Sequence, residues 1–414
     1  MAALQHLKAN QMPTASLDGP DEVAKEGVRQ PTVWVARLQV NAFRSYRQAG
    51  METNGRPVIL TGPNGAGKTN LLEALSFLTP GRGLRGARLS EVDRRVGGDG
   101  AEGGETSQPW AVAAEVVVAG ERRSLGTGRD PASPRDKRAV KLDGAFASSQ
   151  QALGEVLSVV WLTPQMDRLF QEGPSERRRF LDRLVFGSDP AHAGRIAKYE
   201  QALRERSRLL RWEKGTPDPA WLTVLEETLA EQGVAIAAAR CALAERLASA
   251  CALAGGAFPR ASLAVAGDVE AWLTDMPALA VEDRLQEHLR ASRSGDAEQG
   301  GAAVGPHRSD LRVGHLQRAM PAELCSTGEQ KALLIAIVLA NSRLIASERG
   351  AAPLLLLDEV AAHLDEERRR ALYDELLALE GQSWLTGTDP SLFDGIGGNA
   401  EFFSVREGRI APDS

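Results

Sequence analysis

The sequence has 414 residues, of which 43% are hydrophobic and 25% charged, and its formal net charge is −6. This length has room for two to three average domains or for one large domain with an insertion, and the composition permits a full hydrophobic core. The three cysteines show no CxxC spacing, which indicates a reducing compartment and argues against a disulfide framework or a cysteine metal site. No uninterrupted apolar run approaches the ~20 residues of a membrane-spanning helix, so we expect a cytoplasmic protein.

The chain begins with residues 1–30, which contain prolines, glycines and charges but no apolar core of a secretory signal. We expect them to form a mobile extension. Residues 33–40 then alternate as a β-strand does, and residues 41–46 form a turn into a second edge segment.

A glycine-rich loop follows a short β-branched strand at residues 58–60 and precedes a helical pattern at residues 70–78. Strand, loop and helix in this order are the context that a phosphate-binding P-loop requires. Backbone N–H groups and the helix N-terminus would bind phosphate oxygens, Lys68 would reach the β- and γ-phosphates, and the Thr69 hydroxyl would complete a Mg²⁺ shell. The loop consists of Gly62, Pro63, Asn64, Gly65, Ala66, Gly67, Lys68 and Thr69.

Beyond the P-loop the pattern is that of β-structure. Residues 97–104 read as a surface loop, and residues 110–144 as a small antiparallel sheet that ends at the hairpin dipeptide Asp143-Gly144. Residues 156–162 predict a buried strand, closed by Thr163-Pro164-Gln165.

The middle of the chain changes character. Residues 175–253 have helical spacing interrupted at 215–217, which predicts two helices in an antiparallel hairpin, and residues 294–301 read as a linker or disordered loop. α/β character then returns, with a helix at 332–340, a strand at 354–357, a helix at 366–379 and a strand at 383–386. We therefore predict a head made of residues 31–174 plus 302–414, and a mainly helical lobe at 175–301.

Positive charge is concentrated in two runs, at residues 122–141 and 195–214. The second run holds seven cations against three acids. Either run is explained by a solvated face or by contacts to nucleic-acid phosphates, and the overall negative charge does not exclude the latter. The phosphate-contact candidates in the second run are Arg195, Arg204, Arg206, Arg208 and Arg211.

A pair of carboxylates, Asp358 and Glu359, comes directly after the apolar strand at 354–357. Paired with the P-loop, Asp358 would bind Mg²⁺, and Glu359 would orient and deprotonate the attacking water. The long separation from Lys68 means that two distant segments complete one sheet around an insertion.

A second phosphate-binding helix start is predicted at Ser326-Thr327-Gly328. A capping box between Ser326 and Glu329 explains the same residues as a local structural feature. Because the P-loop already binds one phosphate group, this segment is expected to serve a nucleotide held by a second copy of the chain.

Together with Asp365, these motifs resemble those of the ABC-type ATPases of chromosome maintenance and DNA repair, an α/β P-loop fold. From about residue 33 onward the chain is similar to the bacterial RecF family. The segments that carry this similarity are Phe43-Arg44-Ser45-Tyr46, the P-loop, Arg177-Arg178-Arg179-Phe180-Leu181-Asp182 and Gly305-Pro306-His307-Arg308-Ser309-Asp310-Leu311.

The resemblance implies an ATP-dependent head-to-tail homodimer on double-stranded DNA, acting with RecO and RecR to help RecA load at gaps. It also implies that Ser326 and Gly328 close over the partner's γ-phosphate. Gln165 would occupy a Q-loop-like place as a catalytic residue and metal ligand, and Asp365 a D-loop-like place.

Further nucleotide-pocket candidates by resemblance are Arg44 and Asn64. Where ABC ATPases place a histidine after the last strand, this chain has Thr386-Gly387-Thr388-Asp389. A hydroxyl carries no charge there, so slow hydrolysis is expected.

Two other functions remain open on the sequence. One is the ATPase subunit of another soluble or membrane-associated machine, such as a transporter, against which the long insertion argues. The other is a structural adaptor in which a bound nucleotide only stabilises the fold.

Overall fold

The computed structural model describes residues 31–96, 106–133, 136–211 and 218–413. The predicted extension at 1–30, the predicted loop at 97–104 and the predicted break at 215–217 lie outside these residues.

The strands alternate with loops and helices along the chain. In chain order they are β1 (Val33–Phe43), β2 (Tyr46–Glu52), β3 (Val58–Thr61), β4 (Arg94–Val96), β5 (Thr106–Gln108), β6 (Ala111–Val118), β7 (Glu121–Arg129), β8 (Arg138–Leu142), β9 (Ala145–Phe146), β10 (Val159–Leu162), β11 (Ala261–Ala266), β12 (Asp310–His315), β13 (Met320–Pro321), β14 (Leu354–Leu357), β15 (Ser383–Gly387), β16 (Glu401–Arg406) and β17 (Arg409–Pro412).

The α-helices concentrate in the middle of the chain. In chain order they are α1 (Lys68–Ser76), α2 (Leu89–Val92), α3 (Gln151–Val156), α4 (Pro174–Ser188), α5 (His192–Leu210), α6 (Pro219–Leu253), α7 (Asp268–Asp275), α8 (Ala278–Ala291), α9 (Arg293–Gln299), α10 (Thr327–Arg349) and α11 (Glu366–Ala378).

The chain divides into two compact units. One contains the residues up to Pro164 together with those from Ile345 onward, and the other is Gln165–Leu344. The second unit is wider than the helical lobe predicted at 175–301, because β12 pairs antiparallel with β11 and so keeps the residues beyond 301 with the insertion.

The first unit contains an antiparallel sheet with the strand order β2-β1-β6-β7-β8-β9. Its last hairpin turns at Asp143-Gly144, as predicted, and both residues have positive φ angles, of 47° and 83°. A two-residue turn with this geometry matches the twist of the strands that it joins.

The same unit contains the sheet that carries the P-loop, with the order β10-β14-β15-β3-β16-β17. The first five strands are parallel, and β17 returns antiparallel to β16. The residues of β3, β10 and β14 are all buried, as expected for a parallel sheet covered on both faces. The strands predicted at 58–60, 354–357 and 383–386 are thus confirmed, whereas the strand predicted at 156–162 begins only at Val159.

In the second unit, α5 and α6 pack against each other as the predicted hairpin. The prediction of two helices over residues 175–253 is wrong, because α4 precedes α5 as a separate helix. The break lies at Asp189-Pro190, where proline disfavours a helical conformation of the residue before it.

The prediction of a linker at 294–301 is also wrong, because residues 293–299 form α9. Asp296 in this helix is buried and accepts hydrogen bonds from Ser292 Oγ (2.7 Å) and from the backbone N–H of Ala303 (3.2 Å). Gly300, with φ +83°, ends the helix in the left-handed conformation. Polar composition therefore concealed a helix that is held by a buried acid.

One helix within the described ranges, α10, is long and apolar enough to cross a membrane by length and composition alone. Its most apolar 18-residue window has a mean hydropathy of 1.3, and 78% of that window is buried inside the protein. The core helix of a soluble protein passes the same test.

Candidate nucleotide site

The P-loop joins β3 to α1 through glycines that no other residue could replace without strain. Gly62 has φ +145°, and a Cβ atom there would lie 2.2 Å from the carbonyl oxygen of Val405. Gly67 has φ +114°, and a Cβ atom there would lie 2.6 Å from Tyr46 Oη, which donates a hydrogen bond to Gly67 O (3.1 Å). The neighbouring strands therefore fix the path of the loop.

Lys68 begins α1, and its side chain folds back over the loop. Its Nζ donates to the carbonyl oxygens of Gly62 (2.6 Å) and Pro63 (3.0 Å). Burial lowers the pKa of Lys68, and the nearby Glu359 and Asp358 carboxylates oppose that shift. The ammonium group is thus held at the loop by carbonyl oxygens that an incoming phosphate could replace.

Thr69 and Asp358 come together although they are far apart in sequence. Thr69 Oγ1 lies 2.9 Å from Asp358 Oδ1 and 3.0 Å from Oδ2. Burial raises the pKa of Asp358, while hydrogen bonds from Thr386 and Thr69 lower it. Asp358 follows β14, and the P-loop follows β3. Because the two strands run parallel in one sheet, Asp358 and the P-loop lie at the same edge of it.

A hydroxyl and a carboxylate at this spacing fit Mg²⁺, which is usually held by one or two protein oxygens, substrate phosphates and water. The described residues contain no group of three or more His, Cys, Asp and Glu side chains that could hold a metal ion without such help. If the ion binds, it would polarise and neutralise phosphate oxygens, with Thr69 and Asp358 as its protein ligands.

Glu359 follows Asp358 in the left-handed conformation, with φ +53°. Its backbone N–H donates to Thr386 Oγ1 (2.9 Å), and Thr386 in turn donates to Asp358 Oδ1 (2.7 Å). The sequence left open whether Thr386 or Thr388 takes the place of a phosphate-facing histidine. In the structure Thr386 is buried against the Asp358 carboxylate and the Glu359 backbone, and Thr388 is exposed.

Arg44 contacts Glu73, a residue of α1 that no sequence motif marks as part of the site. The Arg44 guanidinium donates from Nε (2.9 Å) and from a terminal nitrogen (2.7 Å) to the fully buried Glu73 carboxylate, which also accepts from Arg85 (2.7 Å). Glu73 thus fixes two cations beside the P-loop helix. Asn64, at the tip of the loop, is exposed.

Ser326 lies in the second unit, just before α10. Glu329 Oε2 accepts both from the Ser326 backbone N–H (3.0 Å) and from Ser326 Oγ (2.9 Å), and Arg318 pairs with the same carboxylate. One bond of the predicted capping box is thus formed, from the Ser326 backbone N–H to Glu329, and the serine hydroxyl donates to the same carboxylate oxygen. Gly328 is exposed, and a Cβ atom added to it would meet no other atom within 4 Å, so the helix start is open.

Two other candidates have simple surroundings. Gln165 is exposed in a 3₁₀ helix at Pro164–Arg168. Asp365 caps α11 by accepting a hydrogen bond from the Arg368 backbone N–H (2.8 Å).

The five basic candidates of α5 and its end do not share one environment. Arg206 is fully buried and pairs with Glu226 (3.0 Å) and Asp296 (2.7 Å), so its selection as a DNA contact is wrong. Arg195 pairs with Asp189, while Arg204, Arg208 and Arg211 are exposed. A count of charges could not show which face of the helix was buried.

Comparisons with known proteins agree with this geometry. The family model "RecF/RecN/SMC N terminal domain" matches residues 34–385. The DNA replication and repair protein RecF of Mesorhizobium japonicum is 45% identical over 91% of this chain and 97% of its own length, and that of Agrobacterium fabrum is 46% identical over 91% and 98%.

Among solved structures, that of the recombination mediator protein RecF with ATP in the RecFOR pathway superimposes with a TM-score of 0.77. It is 23% identical and covers 93% of this chain and 99% of that one. The superposition confirms the predicted α/β, ABC-type (SMC/RecF-like) P-loop fold. With the extent and identity of the curated relatives, it follows that this chain belongs to the RecF family.

Proposed function

We propose that this protein is an ATP-dependent DNA-binding dimer of DNA replication and recombinational repair. ATP and Mg²⁺ bind at the P-loop, ATP drives head-to-tail dimerisation, and slow hydrolysis releases the dimer. It binds double-stranded DNA near gaps and helps RecO and RecR load RecA.

The convergence of Thr69 with Asp358, beside Lys68, carries the nucleotide part of this proposal. These groups supply the positive charge and the oxygen ligands that a magnesium-bound triphosphate needs. A solved structure of a RecF protein with ATP supports the choice of nucleotide. Glu359, directly after Asp358, is the group proposed to position and deprotonate water.

The open start of α10 supports dimerisation. Ser326, Thr327 and Gly328 are exposed, and the backbone N–H groups at a helix start attract anions. In the proposed dimer, the segment of one molecule closes over the γ-phosphate held by the other, with Ser326 Oγ turning from Glu329 to that phosphate. Gln165 and Asp365 are proposed to line the closed site.

The relatives named DNA replication and repair protein RecF support the DNA part of the proposal. The solved RecF protein is a recombination mediator of the RecFOR pathway, which supports RecO and RecR as partners. Arg204, Arg208 and Arg211 are the exposed phosphate-contact candidates, with Arg195 beside them.

Sedimentation with ATP and a panel of DNA structures tests the dimer. Ser326→Arg should prevent ATP-dependent dimerisation, because a bulky cation would stand where the phosphate approaches. Glu359→Gln should prolong the dimer on DNA and lower hydrolysis by about 10²- to 10⁴-fold, the usual effect of a lost general base. Wild-type-like dimerisation of Ser326→Arg would refute the shared site, and an unchanged Glu359→Gln variant would favour the adaptor.

The DNA surface is tested separately, by changing Arg204, Arg208 and Arg211 together to glutamine. DNA affinity should fall for every DNA sequence. The slope of log affinity against log salt concentration should become shallower by about 0.9 for each phosphate that the variant no longer binds. The control changes Arg284 and Arg290, exposed cations of α8 that lie outside both basic runs, to glutamine. Wild-type affinity and salt slope in the triple variant would place the DNA elsewhere and leave the nucleotide site untouched.

A further inference from the structure

Thr386 lies in the strand between the one that leads into the P-loop and the one that ends at Asp358. It belongs to β15, which lies between β14 and β3 in the parallel sheet. Leu385 pairs with Leu357, and Thr386 pairs with Leu60. This register places Thr386 beside the residue that follows β14, which is Asp358.

The Thr386 hydroxyl contacts both acidic residues at once. It accepts a hydrogen bond from the Glu359 backbone N–H (2.9 Å) and donates one to Asp358 Oδ1 (2.7 Å). The side chain is only 1% exposed, so water does not compete for these bonds. A valine would fill nearly the same space and make neither bond.

The first of these bonds supports an unusual backbone conformation. Glu359 has φ +53°, a backbone angle that residues other than glycine rarely adopt without support from their surroundings. The Thr386 hydroxyl accepts a hydrogen bond from the Glu359 N–H and so fixes the backbone position from which the Glu359 side chain extends.

The second bond fixes Asp358 independently of Thr69. Thr69 Oγ1 also donates to this carboxylate, 2.9 Å from Oδ1 and 3.0 Å from Oδ2. Asp358 is therefore held by hydroxyl groups from two separate elements, Thr69 at the start of α1 and Thr386 in β15.

We infer that Thr386 is a positioning residue for ATP hydrolysis, which holds the Mg²⁺ ligand Asp358 and the water-activating Glu359 in register through one hydroxyl. This inference rests on the proposed function. It argues against Thr386 standing in for a phosphate-facing histidine, because its hydroxyl is already bonded to the Asp358 carboxylate and to the Glu359 backbone N–H.

The test compares Thr386→Val with Thr386→Ser. ATP affinity is measured in EDTA and in Mg²⁺, and hydrolysis is measured as kcat and KM. In Thr386→Val we expect ATP affinity in EDTA to stay within about twofold and the gain from Mg²⁺ to fall about tenfold, since Asp358 loses a hydrogen bond to its charged group. kcat should fall about 10- to 100-fold with little change in KM. Thr386→Ser should restore both quantities.

A double variant adds a readout that general loosening of the fold would not give. Combined with Glu359→Gln, Thr386→Val should lower kcat by less than it does alone, because part of its effect is the placement of the Glu359 carboxylate that the first change has already removed. Thr228→Val, which removes a hydroxyl that donates to Val224 O in α6, is the control. Thermal unfolding checks that each variant is folded. If Thr386→Val is not folded, Thr386→Ala is used in its place.

The inference is overturned if Thr386→Val gains as much from Mg²⁺ and hydrolyses as fast as the wild type. It is also overturned if Thr386→Ser is as impaired as the valine variant. Failure of the wild type to bind ATP would instead refute the proposed function.

Discussion

Replacing Arg206 with methionine would remove a buried positive charge while keeping most of the side-chain volume. The guanidinium donates to Glu226 Oε1 (3.0 Å), to Asp296 Oδ2 (2.7 Å) and to the carbonyl oxygen of Leu289. Both acids are also buried. The substitution would therefore remove one donor from each of two carboxylates and from one carbonyl group.

The expected loss follows from what remains around each acid. Removing one partner of a buried ion pair costs about 3–5 kcal/mol. Glu226 keeps Arg293 (2.6 Å), and Asp296 keeps the neutral donors Ser292 and Ala303, so we expect the lower end, about 3 kcal/mol. For a unit of this size that corresponds to a fall of about 6–12 °C in the melting temperature.

Thermal unfolding of the full chain measures this loss, with Arg208→Met, an exposed change two residues along α5, as the matched control. The control should unfold within about 0.5 kcal/mol of the wild type. DNA affinity measured well below the transition should be unchanged in Arg206→Met. A variant as stable as the wild type, with weakened DNA binding, would refute the reasoning.

Three further outcomes are expected. Gly62→Ala should abolish ATP binding, measured by calorimetry, because its Cβ would lie 2.2 Å from a backbone oxygen. Hydrogen bonds from the Ser326 backbone N–H and hydroxyl lower the pKa of Glu329. The stabilisation from these bonds is therefore present at neutral pH and is lost as the pH falls through the lowered pKa. In Ser326→Ala, NMR titration should show the pKa of Glu329 moving partway back up. Arg138→Met should lower the free energy of unfolding by about 2–4 kcal/mol in urea titrations, because the buried guanidinium donates to the Thr79 and Gly81 carbonyl oxygens after α1; an unchanged midpoint would contradict this role.

The parts of the site that the sequence could predict are those fixed by local patterns. A β-branched strand, a glycine-rich loop and a helical pattern locate Lys68 and Thr69, and an apolar strand that ends in acids locates Asp358 and Glu359. Parallel strands carry such ends to one edge of a sheet. The convergence of Thr69 with Asp358 followed from these two patterns together.

The parts that the sequence could not predict depend on pairing across the fold. Thr386 became a partner of Asp358 only through the strand order β14-β15-β3, which no local pattern encodes. In the sequence, Arg206 resembled a surface cation and Asp296 a linker acid, because both are charged. The burial of each depends on the other, which neutralises its charge. A charge run shows composition, whereas the buried face of a helix is decided by its neighbours.

The position of β3 has a consequence for how the protein is made. This strand pairs with β15 and β16, whose residues are synthesised more than 300 positions after Thr61. At about 5–20 residues per second, the strand that leads into the P-loop would wait roughly 15–65 s on the ribosome before either neighbour exists. Until then its apolar edges are unpaired and liable to aggregate. A nascent chain arrested before Ser383 should therefore bind chaperones and not ATP.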